Sequence, residues 1–406
     1  MYLDELSSLA TGRTTELFLK DIEDRNAEIA ERIGGKRVLI IGGAGSIGSA
    51  TVHAMLDYHP DALHIVDTNE NNLAELIRDL RSSVNGLKIS DFRCLPLDYG
   101  SPIMHRYLRG VPPYDFVLNF AAIKHVRSEK DVYSTLQMLD TNIVKSARIL
   151  RWLQEKGSLY RYFCVSTDKA ANPVNLMGAS KRIMEHVIFS GEVVPNLDAY
   201  ITSARFANVA FSEGSLLQSF LKRMEKRQSL AVPKDTRRFF ISLREAGQIC
   251  LLASVCAPNR HLVIPRLEPD NDLHDLEEIA VQVLQYNNYE PRKYDDESVA
   301  RANVESDMAE GCYPLLVTSL DTSGEKPYEE FVGSGESSVE IGMSNLLGVS
   351  YRPASTGSIA DFLDQIEGYI SEIRLTVSKD DIVNAIAAVI PEFRHIESGR
   401  NLDERM

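Results

Sequence analysis

Residues 38–50 read VLIIGGAGSIGSA, four apolar residues that break into a loop carrying Gly42, Gly43, Gly45 and Gly48. Val38–Ile41 has no polar alternation, which is the pattern of a strand covered on both faces in a parallel sheet. Glycines at 42, 45 and 48 let the backbone turn tightly after that strand. A helix opening there aims unpaired N–H groups and a positive dipole end at whatever lies over the loop. A glycine triplet alone is an ordinary turn, but the order strand, GxxGxxG, helix is what a dinucleotide pyrophosphate needs. Gly42, Gly45, Ser46, Ile47 and Gly48 are therefore cofactor-binding candidates.

The alternation continues outward. A helix is expected over about 49–58 and a second strand over 62–66, ending in Asp67. Asp67 lies about twenty residues past the loop, where a carboxylate accepts from adenosine ribose hydroxyls. It would repel a 2′-phosphate, which favours NAD over NADP. Asn69, Glu70 and Asn71 follow it, so a strand-ending turn aspartate is the competing reading. A charged helix (71–83) and a third strand (92–95) lead to Asp98, placed for the adenine edge or for a turn. A fourth strand (116–120) runs into Ala121 and Ala122, two further cofactor candidates, and a long helix (133–155) precedes a fifth strand (162–166). This spacing predicts an α/β fold, a Rossmann-type doubly wound parallel sheet with a smaller substrate-binding lobe.

Four regions are expected. Residues 1–35 form an N-terminal helical extension closed by Gly34-Gly35, and 36–210 a dinucleotide-binding domain to which 237–265 returns. Residues 211–345 form mostly the substrate lobe, and 346–406 a C-terminal helical extension with helices at 359–374 and 379–389.

Composition narrows the partners. The 406 residues carry a net charge of −14, which argues against nucleic acid or an anionic membrane as the main partner. Cys94, Cys164, Cys250, Cys256 and Cys312 are scattered without metal-binding spacing, so no metal site is expected. The first residues lack a signal-peptide pattern, and no stretch approaches the roughly 20 apolar residues of a membrane span. The sequence reads as cytoplasmic.

The chemistry concentrates in VSTDKAANPVNLMGASK (165–181), at the carboxyl end of the fifth strand. Ligands of open α/β sheets sit beyond the carboxyl ends of the strands. There Thr167, Asp168 and Lys169 bring a hydroxyl, a carboxylate and an amine together. Lys181 is expected to open a helix over 181–189.

Over about residues 36–331 the chain resembles the extended short-chain dehydrogenase/reductase family, and within it the CapD-like nucleotide-sugar 4,6-dehydratases. The motifs are GGAGSIGS, AAIKHV (121–126), STDKAANPVNLMGASKR (166–182), RFANV (205–209) and GEKPYEEF (324–331). The family's usual signature is Tyr-x-x-x-Lys. Here Met177 stands in the tyrosine position, four residues before Lys181, and a thioether cannot take a proton. Either the domain only binds, or it belongs to a branch with another base. CapD-like dehydratases resembling this chain also carry Met there, followed by Gly-Ala-x-Lys-Arg, which favours the second.

The resemblance implies an NAD(P)-dependent lyase. It would oxidise C4 of a UDP-linked N-acetylglucosamine, eliminate water across C5 and C6, return hydride to C6 and regenerate the cofactor. By position, Thr167 would bond the C4 oxygen, Asp168 protonate the C6 hydroxyl and Lys169 take the C5 proton, given burial or a neighbouring cation. Lys181 would bond the nicotinamide ribose, and Met177 would pack on the sugar or nicotinamide. Lys124, His125, Asn208, Arg238 (or Arg237) and Glu325 would contact the nucleotide sugar. The family usually reads Arg-Pro-Gly-Glu at Thr322-Ser323-Gly324-Glu325, so the arginine is missing and the nucleotide base stays open. A 4-epimerase, a C5-inverting dehydratase and a silent NAD-binding scaffold are the alternatives. A homo-oligomer is the family's common state.

Overall fold

The computed structural model describes residues 2–83, 86–124, 129–157, 159–319, 328–353 and 358–395; His125 and Glu325 lie outside them. The strands are β1 (Arg37–Ile41), β2 (Ala62–Asp67), β3 (Asp91–Pro96), β4 (Phe116–Asn119), β5 (Arg161–Val165), β6 (Tyr200–Ala204), β7 (Asn208–Val209), β8 (Leu230–Pro233), β9 (Arg237–Ile241), β10 (His261–Pro265), β11 (Leu273–Asp275), β12 (Glu290–Tyr294), β13 (Cys312–Thr318), β14 (Ser338–Glu340) and β15 (Leu346–Ser350).

Nine of them form one sheet in the order β14-β15-β10-β6-β5-β4-β1-β2-β3. From β3 to β10 every pairing is parallel, and β15 and β14 add antiparallel at the edge. The strand order reverses between β1 and β4, so their carboxyl ends open a crevice. The doubly wound parallel sheet expected from the sequence is present. Val38–Ile41 and Phe116–Asn119 are fully buried, as their unbroken apolar runs require.

A second core lies beyond the carboxyl edge. The sheets β11-β9-β7 and β12-β13-β8 pack there with helix Leu276–Tyr286 around Phe220, Leu230 and Tyr313. Residues 2–33 contribute to both cores. Helix Tyr2–Thr11 places Leu6 and Ala10 in the second, and helix Leu19–Ile33 places Ile29 and Ile33 in the first. The chain breaks between them at Gly12, whose φ is +66°. Strands β14 and β15, on either side of the sequence boundary at 345, both join the main sheet. Among the described residues no helix is long and apolar enough to cross a membrane.

Two elements differ from expectation. The long helix is split by a π-turn at Asp140–Val144 between Val132–Leu139 and Lys145–Lys156. The widened turn lets Tyr99 donate to the Thr141 carbonyl and turns the Asn142 side chain inward. The helix expected from Lys181 begins at Leu176. Asn175 caps it, its Oδ1 accepting the Gly178 N–H at 2.7 Å.

All fourteen residues of helix Leu176–Phe189 are buried, with helices Ile359–Ser371 and Lys379–Val389 packed against it. Within its packing sits a closed ionic group. Arg205, at the end of β6, is fully buried and pairs with Glu185 and Glu336, each at 2.6 Å. Arg182 reaches the same carboxylates at 3.1 and 2.6 Å. Burial pushes the Glu336 carboxyl up, but hydrogen bonding to Arg205 and the charges of both arginines outweigh it and hold the group at about 2.

That carboxylate stabilises the folded state only while ionised. Its contribution is complete above about pH 4.5 and is lost as pH falls towards 2. Glu336→Gln should cost about 3–5 kcal/mol at neutral pH, because two buried guanidiniums lose a shared counter-charge. It should also flatten the acid limb of stability between pH 4.5 and 2, as read by urea melts across that range.

Candidate cofactor and sugar site

A cavity of about 460 Å³ opens where β1, β2, β3 and β4 end, with Gly42, Gly45, Asp67, Asp98, Ala121 and Ala122 on its wall. The glycines of its loop are there for different reasons. Gly42 has φ +71°, and a Cβ on it would lie 2.6 Å from the Ala121 nitrogen. A Cβ on Gly48 would lie 2.3 Å from the Gly42 carbonyl oxygen. Gly45 has an ordinary φ of −74°, and its nearest neighbour would be 3.5 Å from a Cβ. Nothing inside the protein requires glycine at 45, which suits a ligand passing close to the backbone. Helix Ser46–Leu56 starts at this point with no side chain capping its first N–H groups.

Asp67 faces the cavity and also closes a turn: Oδ1 accepts the Asn69 N–H at 2.9 Å and Oδ2 the Ala44 N–H at 3.1 Å. The turn reading is thus met in the structure, and the residue also lines the cavity. Asp98 reaches the cavity too, but Oδ1 accepts the Gly100 N–H at 2.9 Å and Oδ2 lies 2.6 Å from Lys145 Nζ. Asn142, missed in the sequence, fixes the cavity floor. Its Oδ1 accepts the Ile123 N–H, and its Nδ2 donates to the Ile123 carbonyl and to Ser180 Oγ, each at 2.9 Å. The sequence carries little signal for it beyond an asparagine in the helical segment LDTNIV.

Thr167, Asp168, Lys169, Met177 and Lys181 are not on that wall; they gather beyond β5 and on the helix after it. Asp168 is buried. Its Oδ1 accepts from Thr167 Oγ1 at 2.8 Å, from the Lys169 N–H at 2.9 Å and from Lys169 Nζ at 3.3 Å. Lys169 Nζ also lies 3.8 Å from Glu329, so two carboxylates, Asp168 and Glu329, stand beside the amine. Met177 is buried, and its N–H donates at 2.9 Å to the buried carboxylate of Glu129. Glu129 and Glu329 were both missed: Glu129 lies outside the motifs, and in GEKPYEEF the resemblance singles out Glu325 rather than Glu329.

Lys181 follows one helical turn after Met177 and is buried, its Nζ without a hydrogen-bond partner. Desolvation pulls this amine below the usual lysine range, against the opposing charges of Cys164 and Glu185. A buried, unpartnered ammonium is costly, and ribose hydroxyls of a bound dinucleotide would satisfy it. The uncrowded Gly45, the uncapped helix and this amine fit a nicotinamide dinucleotide.

The remaining candidates lie towards the second core. Lys124 Nζ donates to the Glu213 carbonyl at 2.9 Å. Asn208 on β7 sits opposite Phe240 on β9, with its Nδ2 3.4 Å from the Phe239 carbonyl. Arg238, two residues along β9, sits opposite His274 on β11.

Residues 38–350 match the family described as polysaccharide biosynthesis protein. The chain belongs to that family. Members similar to it include the capsular polysaccharide biosynthesis protein CapD of Staphylococcus aureus (28% identical over 62% of this chain and 42% of that one). An inverting UDP-N-acetylglucosamine 4,6-dehydratase of Campylobacter jejuni is 30% identical over 53% of this chain and 63% of its own. A UDP-glucose 4-epimerase of Rickettsia bellii is 28% identical over 54% and 62%. The chain thus spans less than two thirds of the length of these three relatives. Among solved structures, Pen from Bacillus thuringiensis superposes with TM-score 0.64 at 21% identity, over 87% of this chain and 97% of that one. WbmF of Bordetella bronchiseptica, in complex with NAD+ and UDP, gives 0.51 at 15% identity over 64% and 80%. At these identities the likeness to both structures is one of fold.

Two substitutions separate packing from binding. Gly48→Ala should destabilise the chain, since the new Cβ meets backbone. Gly45→Ala should leave the Tm nearly unchanged while weakening dinucleotide binding at least about tenfold, an outcome checked by calorimetry with added NAD. Lys181→Met should raise the Tm of the ligand-free chain, by removing a desolvation cost of about 1–3 kcal/mol, and should weaken NAD binding. A lower Tm would show that the amine has a partner within the fold.

Proposed function

We propose that this protein is an NAD-dependent nucleotide-sugar 4,6-dehydratase, and that its substrate is UDP-N-acetylglucosamine. The observation that carries the reading is Met177 in the tyrosine position, with Thr167, Asp168 and Lys169 in mutual contact beside it. The dehydratase relative adds support for dehydration and for this sugar. NAD is preferred to NADP because Asp67 lies on the cavity wall. When bound, the nicotinamide supplies the hydride acceptor for C4 and the donor that later reduces C6.

The residues handle protons and position. Thr167 holds the C4 oxygen and relays the proton that this hydroxyl loses on oxidation to the Asp168 carboxylate, whose Oδ1 accepts from Thr167 Oγ1 at 2.8 Å. Lys169 takes the C5 proton and Asp168 gives one to the departing C6 hydroxyl. The elimination needs no net proton, because the one removed at C5 equals the one delivered at C6, and the proton held by Lys169 returns to C5 when hydride reaches C6. The 3.3 Å separation of Lys169 Nζ and Asp168 Oδ1 suits that exchange within one pair. Lys181 bonds the nicotinamide ribose. Lys124, Asn208 and Arg238 hold the diphosphate end, where a guanidinium fork suits phosphate oxygens. The active form is a homo-oligomer.

A 4-epimerase is the second reading, favoured by the Rickettsia relative. It needs no acid at C6, so the Asp168–Lys169 contact would have no task in it.

Mass spectrometry of the reaction with UDP-N-acetylglucosamine, without added reductant, separates the readings. Loss of one water is the expected result, with C5 configuration read by NMR. Unchanged mass with inverted C4 would replace dehydration by epimerisation. Lys169→Ala should keep NAD bound but lower kcat by about 10²–10⁴-fold, the usual scale for losing a general base. Normal turnover in that variant would remove Lys169 from the mechanism.

A further inference from the structure

Glu213 is a residue that no sequence motif singles out. It lies in the short loop between β7 and helix Leu216–Glu225. The loop is firmly held at both ends. Phe211 takes φ +55° with its side chain buried in the second core. Ser215 caps the following helix, and Gln218 Oε1 accepts the Gly214 N–H at 2.8 Å.

From this loop Glu213 reaches three elements around the cavity. Its N–H donates to Ser46 Oγ at 2.8 Å, on the first residue of the helix after the glycine loop. Its carbonyl accepts from Lys124 Nζ at 2.9 Å, beyond β4. Its carboxylate Oε2 accepts from Asn72 Nδ2 at 3.2 Å, on the helix after β2. Glu213, Asp67, Asn69 and Asn72 all line the cavity.

A dinucleotide with its pyrophosphate on the glycine loop brings its adenosine ribose to the end of β2. Asp67 sits at that end, and Asn72, in the first turn of the following helix, holds the Glu213 carboxylate on the same cavity wall. A 2′-phosphate there would face two carboxylates. Among the described residues, the cations near it include Lys145 on the cavity wall, paired with Asp98 and Asp140 at 2.6 and 3.2 Å, and Lys124, whose Nζ is directed to the Glu213 carbonyl rather than to its carboxylate.

We propose that Glu213, carried over the cavity by the second lobe, is a specificity-determining residue that excludes the 2′-phosphate and selects NAD over NADP. This rests on the reading of the cavity as a dinucleotide site, and the two can fail separately.

The experiment is titration calorimetry of the full chain, stripped of nucleotide, with NAD and with NADP. The wild type should bind NAD more tightly than NADP. Glu213→Gln keeps an acceptor for Asn72 and removes the charge. It should raise the NADP-to-NAD affinity ratio about tenfold, the scale of removing one partly screened charge beside a phosphate. Glu213→Arg should raise it further. Added salt should narrow the difference between wild type and Glu213→Gln. An unchanged ratio in both variants, each with wild-type Tm, overturns the role of Glu213 and leaves the dinucleotide site standing. Equal wild-type affinity for the two dinucleotides also overturns it. Failure of the wild type to bind either one overturns both readings.

Discussion

The fully buried guanidinium of Arg205, held between Glu185 and Glu336, fixes where the chemistry can stand. Two arginines and two glutamates share a site almost without solvent. Such a group is tolerated only when each charge meets its counter-charge in good geometry. The requirement locks three pieces together: the end of β6, the helix carrying Met177 and Lys181, and the segment carrying Glu329 and Glu336. That segment also gives Lys169 its second carboxylate neighbour. The ionic group is not on the wall of the cavity beside β1 and β4, yet sliding any of its members would displace residues proposed for catalysis.

The second constraint is the crowding between β1 and β4. Gly42 lies so close to Ala121 that no side chain fits, and Gly48 presses on Gly42 in turn. Backbone contact at the point where the strand order reverses leaves the crevice as the space available to a ligand. Gly45 alone of the three is uncrowded. One short motif thus contains two kinds of glycine, and only the structure separates the pair that the fold needs from the one that a ligand needs.

How much was legible follows from the range of each signal. The parallel sheet was readable because strands buried on both faces print as continuous apolar runs, as at Val38–Ile41 and Phe116–Asn119. The start of the helix at Leu176 was not, because its cap is Asn175 and its first turn leans on Glu129, forty-eight residues away in the chain. The π-turn at Asp140–Val144 was also hidden: propensity favours an unbroken helix, and the clamp between Asn142 and Ile123 overrides it. Asp67 could be located but not reduced to one role, since its two oxygens serve a turn while its carboxylate faces the cavity. Long-range contacts such as Glu213 with Ser46 leave no periodicity to read.

Placing the catalytic candidates off the cavity wall has a physical logic. Under the proposed reading the cavity would take the dinucleotide's adenosine half, where polar contacts only need to hold a ligand. Thr167, Asp168 and Lys169 lie past the next strand, where a nicotinamide extending from the glycine loop would end. Asn142 joins the two regions by binding Ile123 on the cavity side and Ser180, beside Lys181, on the other. A cofactor that is reduced and reoxidised within one turnover must be held throughout, so its anchoring half should be rigid while proton transfer takes place elsewhere. The separation into a cavity braced by backbone contacts and a compact Thr167–Asp168–Lys169 cluster satisfies both demands.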